Sequence, residues 1–288
     1  MIPNDFQYVR ANSVKDAVSL LDKHGENAKV LAGGHSLIPA MKLRLNAPAT
    51  LIDVSNIGDL TKIGVNGNKL QIGALATHRS VETSDVVKKN CSVLSEAAAH
   101  IGDAQVRNRG TIGGNLAHAD PASDYPALVL ALDAELEVEG KSGKRTIAAD
   151  DFFEGLFETA LESDEIIANI NFPTLGKGTG AAYEKFPHPA SRFAVVGVAA
   201  MLTLDKKGTC TSARIGVTGA APWAFRATDV EDVLTGKPLD EKAISDATAK
   251  VGDPADMLSD ATASPEFRAH LCSVMARRAL MKAMERAK

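Results

Sequence analysis

Only three cysteines occur in these 288 residues, Cys91, Cys210 and Cys272, far apart and without a Cys-x-x-Cys. That spacing argues against a disulfide scaffold, and against an iron–sulfur cluster, which needs four thiolates. Buried inert thiols are the reading for all three. There is no basic excess. With 32 Lys and Arg against 36 Asp and Glu, the formal net charge is −4, which disfavours nucleic acid as the main partner. No apolar run reaches the roughly 18 residues of a membrane span. Met1 to Arg10 carries Asp5 and no apolar core, so no signal peptide is expected and the cytoplasm is the expected location. There is no internal repeat, no low-complexity tract and no Walker A pattern. The Gly-x-Gly-x-x-Gly fingerprint is missing too. Gly176-Lys177-Gly178-Thr179-Gly180 has the wrong spacing for it and reads as a turn. A bound dinucleotide is therefore not expected to be held in Rossmann fashion. His35, His100, His118 and His188 show no metal-ligand spacing.

What is present is an ordinary globular composition, 45% hydrophobic and 24% charged, at a length that suits two domains or one with an appendage. The chain opens as strand, helix, strand. Ser13 is placed as an N-cap with Asp16 three residues on, Val14, Ala17, Val18 and Leu21 recur at helical spacing, and Gly25 ends the helix. Leu51 to Val54 is the next strand. Val65-Asn66-Gly67-Asn68 signals a hairpin, with Asn-Gly suited to a type I′ turn. Helices are expected over 93–101 and over about 124–132, then strands at Glu135 to Val138, Thr146-Ile147 and Glu165 to Phe172. The Gly- and Pro-rich stretch Pro173 to Gly180 marks a domain boundary. Beyond it come strands at Ala181 to Phe186, Phe193 to Leu204 and Cys210 to Thr218, and short helices at Thr228 to Leu234 and Glu241 to Val251. A last helix is capped by Ser264 with Pro265 at N1, its inner face being Phe267, Leu271, Val274 and Met275.

Two glycine segments carry the functional signal. Ala32-Gly33-Gly34-His35-Ser36 follows a buried strand. Paired glycines permit positive φ and close ligand approach, and consecutive N–H groups there can form an anion-binding concavity. Gly-Gly after a strand is more often a plain turn. Thr111-Ile112-Gly113-Gly114-Asn115 reads as a second loop of the same type, preceded by Arg107 and Arg109, which either raise the local potential or pair with surface carboxylates. Two such loops in one domain favour a ligand with two phosphates.

Ala32-Gly33-Gly34-His35-Ser36-Leu37-Ile38-Pro39 and Gln105-Val106-Arg107-Asn108-Arg109-Gly110-Thr111-Ile112-Gly113-Gly114-Asn115 strongly resemble the medium subunit of aerobic carbon monoxide dehydrogenases. The wider family is the FAD-binding part of molybdenum hydroxylases, xanthine dehydrogenase included. The resemblance covers essentially the whole chain, with Met1-Ile2-Pro3 at the start and Tyr183-Glu184-Lys185 at the boundary strand. It implies an α+β fold. Residues 1–176 would form an FAD-binding domain of the vanillyl-alcohol oxidase type, with subdomains of about 1–55 and 56–176. Residues 177–288 would form a small α+β domain with a three-stranded antiparallel sheet and helices. It also implies a circuit. A large subunit oxidises substrate at a molybdopterin centre, a small subunit passes electrons through [2Fe–2S] clusters, and non-covalent FAD in this chain discharges them to an external acceptor. The assembly implied is a dimer of heterotrimers.

Residue by residue, the resemblance places Lys29-Val30-Leu31-Ala32-Gly33-Gly34-His35-Ser36-Leu37 in the first FAD segment and Thr111-Ile112-Gly113-Gly114-Asn115 in the second. It makes Asp124 a polar FAD contact, Ile101 and Ile167 apolar neighbours and Lys185 a basic contact. Phe193 falls where related chains place an aromatic close to the flavin ring, a tyrosine in the nearest ones. Other assignments fit the same residues. Asp124 suits an N-cap, Lys185 a surface charge and Phe193 core filling. No general acid or base stands out, and no residue set here would hold molybdopterin. A self-contained FAD-dependent oxidase and a non-redox nucleotide-binding regulator are the competing functions. The substrate and the final acceptor are not written in this chain.

Overall fold

The computed structural model describes residues 1–288. The first unit is a parallel sheet of β1 (Gln7–Arg10), β2 (Ala28–Leu31) and β3 (Thr50–Asp53), in the order β1-β3-β2. Helix α1 (Val14–His24) connects the first two strands. Ser13 caps it by accepting from the Asp16 N–H, and the Asp16 carboxylate accepts from the Asn12 N–H. Ala17, Val18 and Leu21 are its buried stripe, and Gly25, at φ 57°, closes it. Helix α2 (Leu37–Lys42) starts directly after the Gly33–Ser36 segment.

The second unit begins with a hairpin of β4 (Ile63–Asn66) and β5 (Lys69–Gly73). Asn66 pairs with Lys69, so Gly67 and Asn68 are the two turn residues, and only Gly67 has positive φ. Glycine at the first central position is the type II′ pattern, not the type I′ that Asn-Gly suggests, because the register sits one residue later. Short helices follow: α3 (His78–Thr83), α4 (Asp85–Asn90), α5 (Ser92–Ala99), α6 (Ala104–Arg109), α7 (Ile112–His118) and α8 (Tyr125–Ala131). Then come β6 (Glu135–Gly140), β7 (Gly143–Ala148), the small hairpin β8 (Phe153–Gly155) and β9 (Glu158–Thr159), and β10 (Ile166–Pro173). The antiparallel sheet runs β4-β5-β10-β6-β7 and its apolar face, with Leu70, Ile72, Leu136, Val138 and Ile170, packs on the helices.

The third unit is an antiparallel sheet of β11 (Thr179–Pro187), β12 (Ala194–Leu204), β13 (Cys210–Thr218) and β14 (Phe225–Arg226). The short β14 adds a fourth strand to the three expected. Helices α9 (Thr228–Leu234), α10 (Glu241–Thr248) and α11 (Pro265–Ala287) follow. The long α11 lies across β11 and β12, and Gly180 lets it do so, since a Cβ there would fall on the Ala283 carbonyl oxygen. Leu271 and Met275 face inward as expected. Phe267 does not. It is 42% exposed and meets Phe186 edge-on at 6.1 Å. The first turn of α11 instead turns Arg268 inward, onto the Val195 and Gly219 carbonyl oxygens, and Phe267, one residue before it, stays outside against Phe186.

The second and third units share a core. All seven residues of α8 are buried, between the second unit's sheet and β12–β13, and Ala181, Tyr183, Ala199 and Ala224 join the second unit's apolar cluster. The three cysteines are buried free thiols, and burial pushes Cys91 and Cys272 up to about 12. No helix is long and apolar enough to cross a membrane.

Candidate cofactor-binding cleft

A cleft of about 900 Å³ opens where the three units meet. Its first wall is the end of β2 and the segment after it, Lys29 to Leu37. The backbone N–H groups of Ala32, Gly33, Gly34, His35, Ser36 and Leu37 donate to no acceptor in the protein. Gly34 has φ +75°, which turns successive N–H groups to one side. Unpaired backbone donors at this density are costly away from water, and an anion rich in acceptor oxygens satisfies them. Gly33 answers a different need. A Cβ there would fall on the Arg109 carbonyl oxygen, so the first and second glycine segments pack against each other directly.

The second segment is not a loop. Thr111 caps α7 by accepting from the Gly114 N–H at 3.2 Å, so Gly113 and Gly114 lie in its first turn. The Ile112 and Gly113 N–H groups donate to Ala76 and Ala74 carbonyls at 3.0 and 2.8 Å, and that of Asn115 to the Thr111 carbonyl at 2.9 Å. These donors are already satisfied, so the second anion concavity expected from the sequence is absent. The glycines serve close approach: a Cβ on Gly113 would fall on Ala74, and one on Gly114 would lie 2.7 Å from the Thr111 hydroxyl oxygen. Thr111, Gly113, Gly114 and Asn115 line the cleft, whereas Ile112 points into the core. Arg107 is structural, pairing with Glu82 at 3.0 Å and donating to the Ile101 and Gly102 carbonyls.

The third wall brings Ile101, Asp124, Ile167 and Phe193 together. Asp124 makes no side-chain cap on α8. Its carboxylate accepts from the Tyr183 hydroxyl at 2.5 Å and from the Lys185 ammonium at 2.8 and 3.0 Å. Burial pushes the Asp124 carboxyl up, and Lys185 and Tyr183 act against that rise. Lys185 is not a surface charge, its side chain being 6% exposed. It lies behind the cleft wall, reaches the cleft through Asp124, and also donates to the His100 carbonyl at 3.2 Å. Phe193 is 43% exposed on the cleft side, so it is not core filling.

Sequence reasoning missed several lining residues. His78 is 3% exposed, its Nδ1 has no partner, and its ring lies 5.5 Å from that of Tyr125. Burial holds it neutral, down to about 4. A lone histidine in a polar stretch gives no local signal of this. Asn115, which the resemblance did place in the site, also has its Oδ1 buried without a donor, while its Nδ2 donates to Ser123 at 2.7 Å. The tip of β8–β9 brings Phe157 to within 5.1 Å of the His118 ring. Phe157 and Arg192, both lining the cleft, hold φ of 58° and 61°, a conformation rare for bulky residues and one that gathers at functional sites. No cluster of three His, Cys, Asp or Glu is placed to hold a metal.

One wall of free N–H donors, a second built for close approach and a third of apolar side chains around one buried carboxylate define a non-Rossmann dinucleotide-binding protein. Residues 4–175 match the family described as the FAD binding domain in molybdopterin dehydrogenase, and residues 181–283 match the CO dehydrogenase flavoprotein C-terminal domain. The chain is 41% identical over 288 residues, the whole of both proteins, to the carbon monoxide dehydrogenase medium chain of Afipia carboxidovorans. It is 37% identical to the 6-hydroxypseudooxynicotine dehydrogenase complex subunit alpha of Paenarthrobacter nicotinovorans, over 100% of this chain and 97% of that one. Among solved structures it superposes with a TM-score of 0.94 on a chain of the carbon monoxide dehydrogenase from Hydrogenophaga pseudoflava that lacks the Mo-pyranopterin moiety of its molybdenum cofactor, at 40% identity and 99% coverage of each. The chain belongs to the family of FAD-binding subunits of molybdopterin dehydrogenases.

Proposed function

We propose that this chain is the FAD-carrying electron-transfer subunit of a molybdenum hydroxylase complex, and that it does not itself hold the site where substrate is oxidised. The observation that carries this is the run of unpaired N–H donors from Ala32 to Leu37 beside an apolar slab. The residues fit FAD. The donors of Gly33 to Ser36 would take its diphosphate, the unpartnered Asn115 Oδ1 would accept from one of its hydroxyl or N–H groups, and Ile101, Ile167 and Phe193 would flank its ring. When bound, FAD supplies the capacity to accept electrons singly and release them in pairs. Positioning and electrostatics are the protein's share. The N–H wall holds the anion, the apolar wall keeps water from the ring, and the Asp124–Lys185 pair places a fixed dipole at the cleft's inner side.

The rest of the circuit belongs to other chains. Three scattered buried thiols cannot ligate a [2Fe–2S] cluster, so a small iron–sulfur subunit and a large molybdopterin subunit supply the clusters and the oxidising centre. We place the chain in a dimer of such heterotrimers in the cytoplasm, with residues 1–176 and 177–288 as its two domains. The substrate is set in the large subunit. Relatives named for carbon monoxide and for a nicotine derivative match this chain at 41% and 37% identity, so the similarity does not select between them.

The test is anaerobic. The chain purified with FAD should show a flavin spectrum that dithionite bleaches, and acid precipitation should release the flavin. Carbon monoxide, purines or N-heterocycles should leave the lone chain's flavin oxidised, and the matching substrate should bleach it once both partner subunits are added. Rapid bleaching of the lone chain by any of them would mean a self-contained oxidase. A chain that takes up no flavin would be a nucleotide-binding protein of another kind.

A further inference from the structure

One polar group behind the cleft has no task in the electron-transfer reading. Tyr183, on β11, is buried, and its hydroxyl donates to Asp124 Oδ1 at 2.5 Å. Nothing about strand packing requires a phenol there, and the position is restrictive. Gly197 on the neighbouring strand, opposite Lys185, lies under the phenol, and a Cβ there would fall on the Tyr183 hydroxyl oxygen. The sheet has given up a side chain to seat that hydroxyl against the carboxylate. Lys185, two residues on along the same face of β11, reaches both oxygens of Asp124. Two donors from the third unit thus grip one carboxylate at the start of α8, and Asp124 is the member of the trio that lines the cleft.

We propose that Tyr183 is a positioning residue that sets the reduction potential of the bound flavin, by fixing and partly dispersing the negative charge of Asp124 at the inner wall of the cleft. The proposal rests on the reading that FAD occupies this cleft. Its physics is simple. A hydrogen bond to a charged acceptor is stronger than a neutral one, and it spreads the acceptor's charge onto the donor. In a water-poor wall that charge is weakly screened. Removing the hydroxyl leaves the carboxylate more negative towards the cleft, so electron uptake beside it becomes less favourable and the potential falls. Lys185 stays in place against both Asp124 oxygens. The other titratable groups near Asp124 are His100, at the end of α5, and Tyr125, on α8 itself.

The experiment measures flavin midpoint potentials against a reference dye in the FAD-loaded full-length protein, for wild type, Tyr183→Phe, Asp124→Asn and the double variant. Tyr183→Phe should bind FAD and poise lower, shifting the dye equilibrium by roughly tenfold, the factor that corresponds to one charge-assisted hydrogen bond of modest strength. In the Asp124→Asn background the same change should shift it little, because the charge it acts on is gone. Replacement of Tyr183 by 3-fluorotyrosine keeps the ring and the hydroxyl, donates a stronger bond and should move the potential the other way; it decides the question if Tyr183→Phe does not fold. An unchanged potential, or an equal shift with and without the Asp124 carboxylate, overturns the assignment while leaving the flavin reading intact. A wild-type protein that takes up no FAD overturns both.

Discussion

Gly34 holds a φ of +75° that a branched residue resists, and the run of free N–H groups depends on that turn. A Cβ there would lie 3.1 Å from Ile38 and 3.2 Å from Leu31, ordinary side chains that can yield slightly. Gly34→Val should therefore spare the fold and lose most of the FAD, because φ is driven negative and the donors fan apart. Flavin content read beside far-ultraviolet circular dichroism separates the two effects, and full occupancy with native dichroism would remove this segment from the site. Phe193 makes the opposite case. Being 43% exposed, it should cost under about 1.5 kcal/mol when changed to alanine, against about 3–5 for a core aromatic, yet alter the rate of flavin reoxidation. A large drop in melting temperature with unchanged reoxidation would return it to the core. His78 supplies a pH dependence. Burial holds it near 4 when folded, against 6.5 for an unperturbed histidine, so the unfolded chain binds the proton more readily. Stability on this account is complete above about pH 6.5 and declines as pH falls towards about 4, by a total on the order of 3 kcal/mol. His78→Gln should flatten that acid limb in thermal melts, and a limb of unchanged slope would assign it to other groups.

Among the elements, α7 shows where sequence reading stops. Gly113-Gly114 argues for a loop on intrinsic preference, since each glycine costs helix stability by up to about 1 kcal/mol. Tertiary packing overrides it. The Thr111 cap and the close pass over Ala74 make a helix of residues that would not form one alone. Thr111→Ala should cost about 1 kcal/mol of stability and loosen FAD, with Thr111→Ser restoring both; urea unfolding with flavin titration measures the pair, and a neutral Thr111→Ala would mean the cap is dispensable. Where local chemistry and tertiary need coincide, the reading holds. Ser13 and Ser264 cap the helices they announce, and Cys210–Thr218 is a strand at its expected bounds. The turn at Gly67 was legible as a hairpin but not in type, because register is set by the facing strand. Likewise the family resemblance could point to Lys29–Leu37 and Phe193, which line the cleft, but the grip of Lys185 on Asp124 from behind the wall is a fact of three dimensions. His78 and the β8–β9 tip carried no sequence signal at all.

At the scale of the whole molecule, the third unit is not an appendage but part of the cleft's frame. The Pro121 carbonyl accepts from the Gly219 N–H at 2.7 Å and from the Thr218 hydroxyl at 2.9 Å, and the Ala122 carbonyl accepts from the Ala194 N–H at 3.0 Å. Arg214, on β13, pairs with Asp133 and Asp150. The Asp124–Lys185 pair crosses the same junction with both side chains at 4–6% exposure, so stripping one partner leaves a buried charge unpaired, at about 3–5 kcal/mol. Cores joined through α8 and stitched this way should unfold together. In urea, flavin release and loss of far-ultraviolet dichroism should coincide in wild type. Lys185→Met should lower the midpoint of that transition strongly without splitting it. If flavin instead leaves well before the dichroism changes in the wild-type chain, the cleft opens by separation of the units. The third unit would then be a cover over an independently stable binding domain rather than part of its frame.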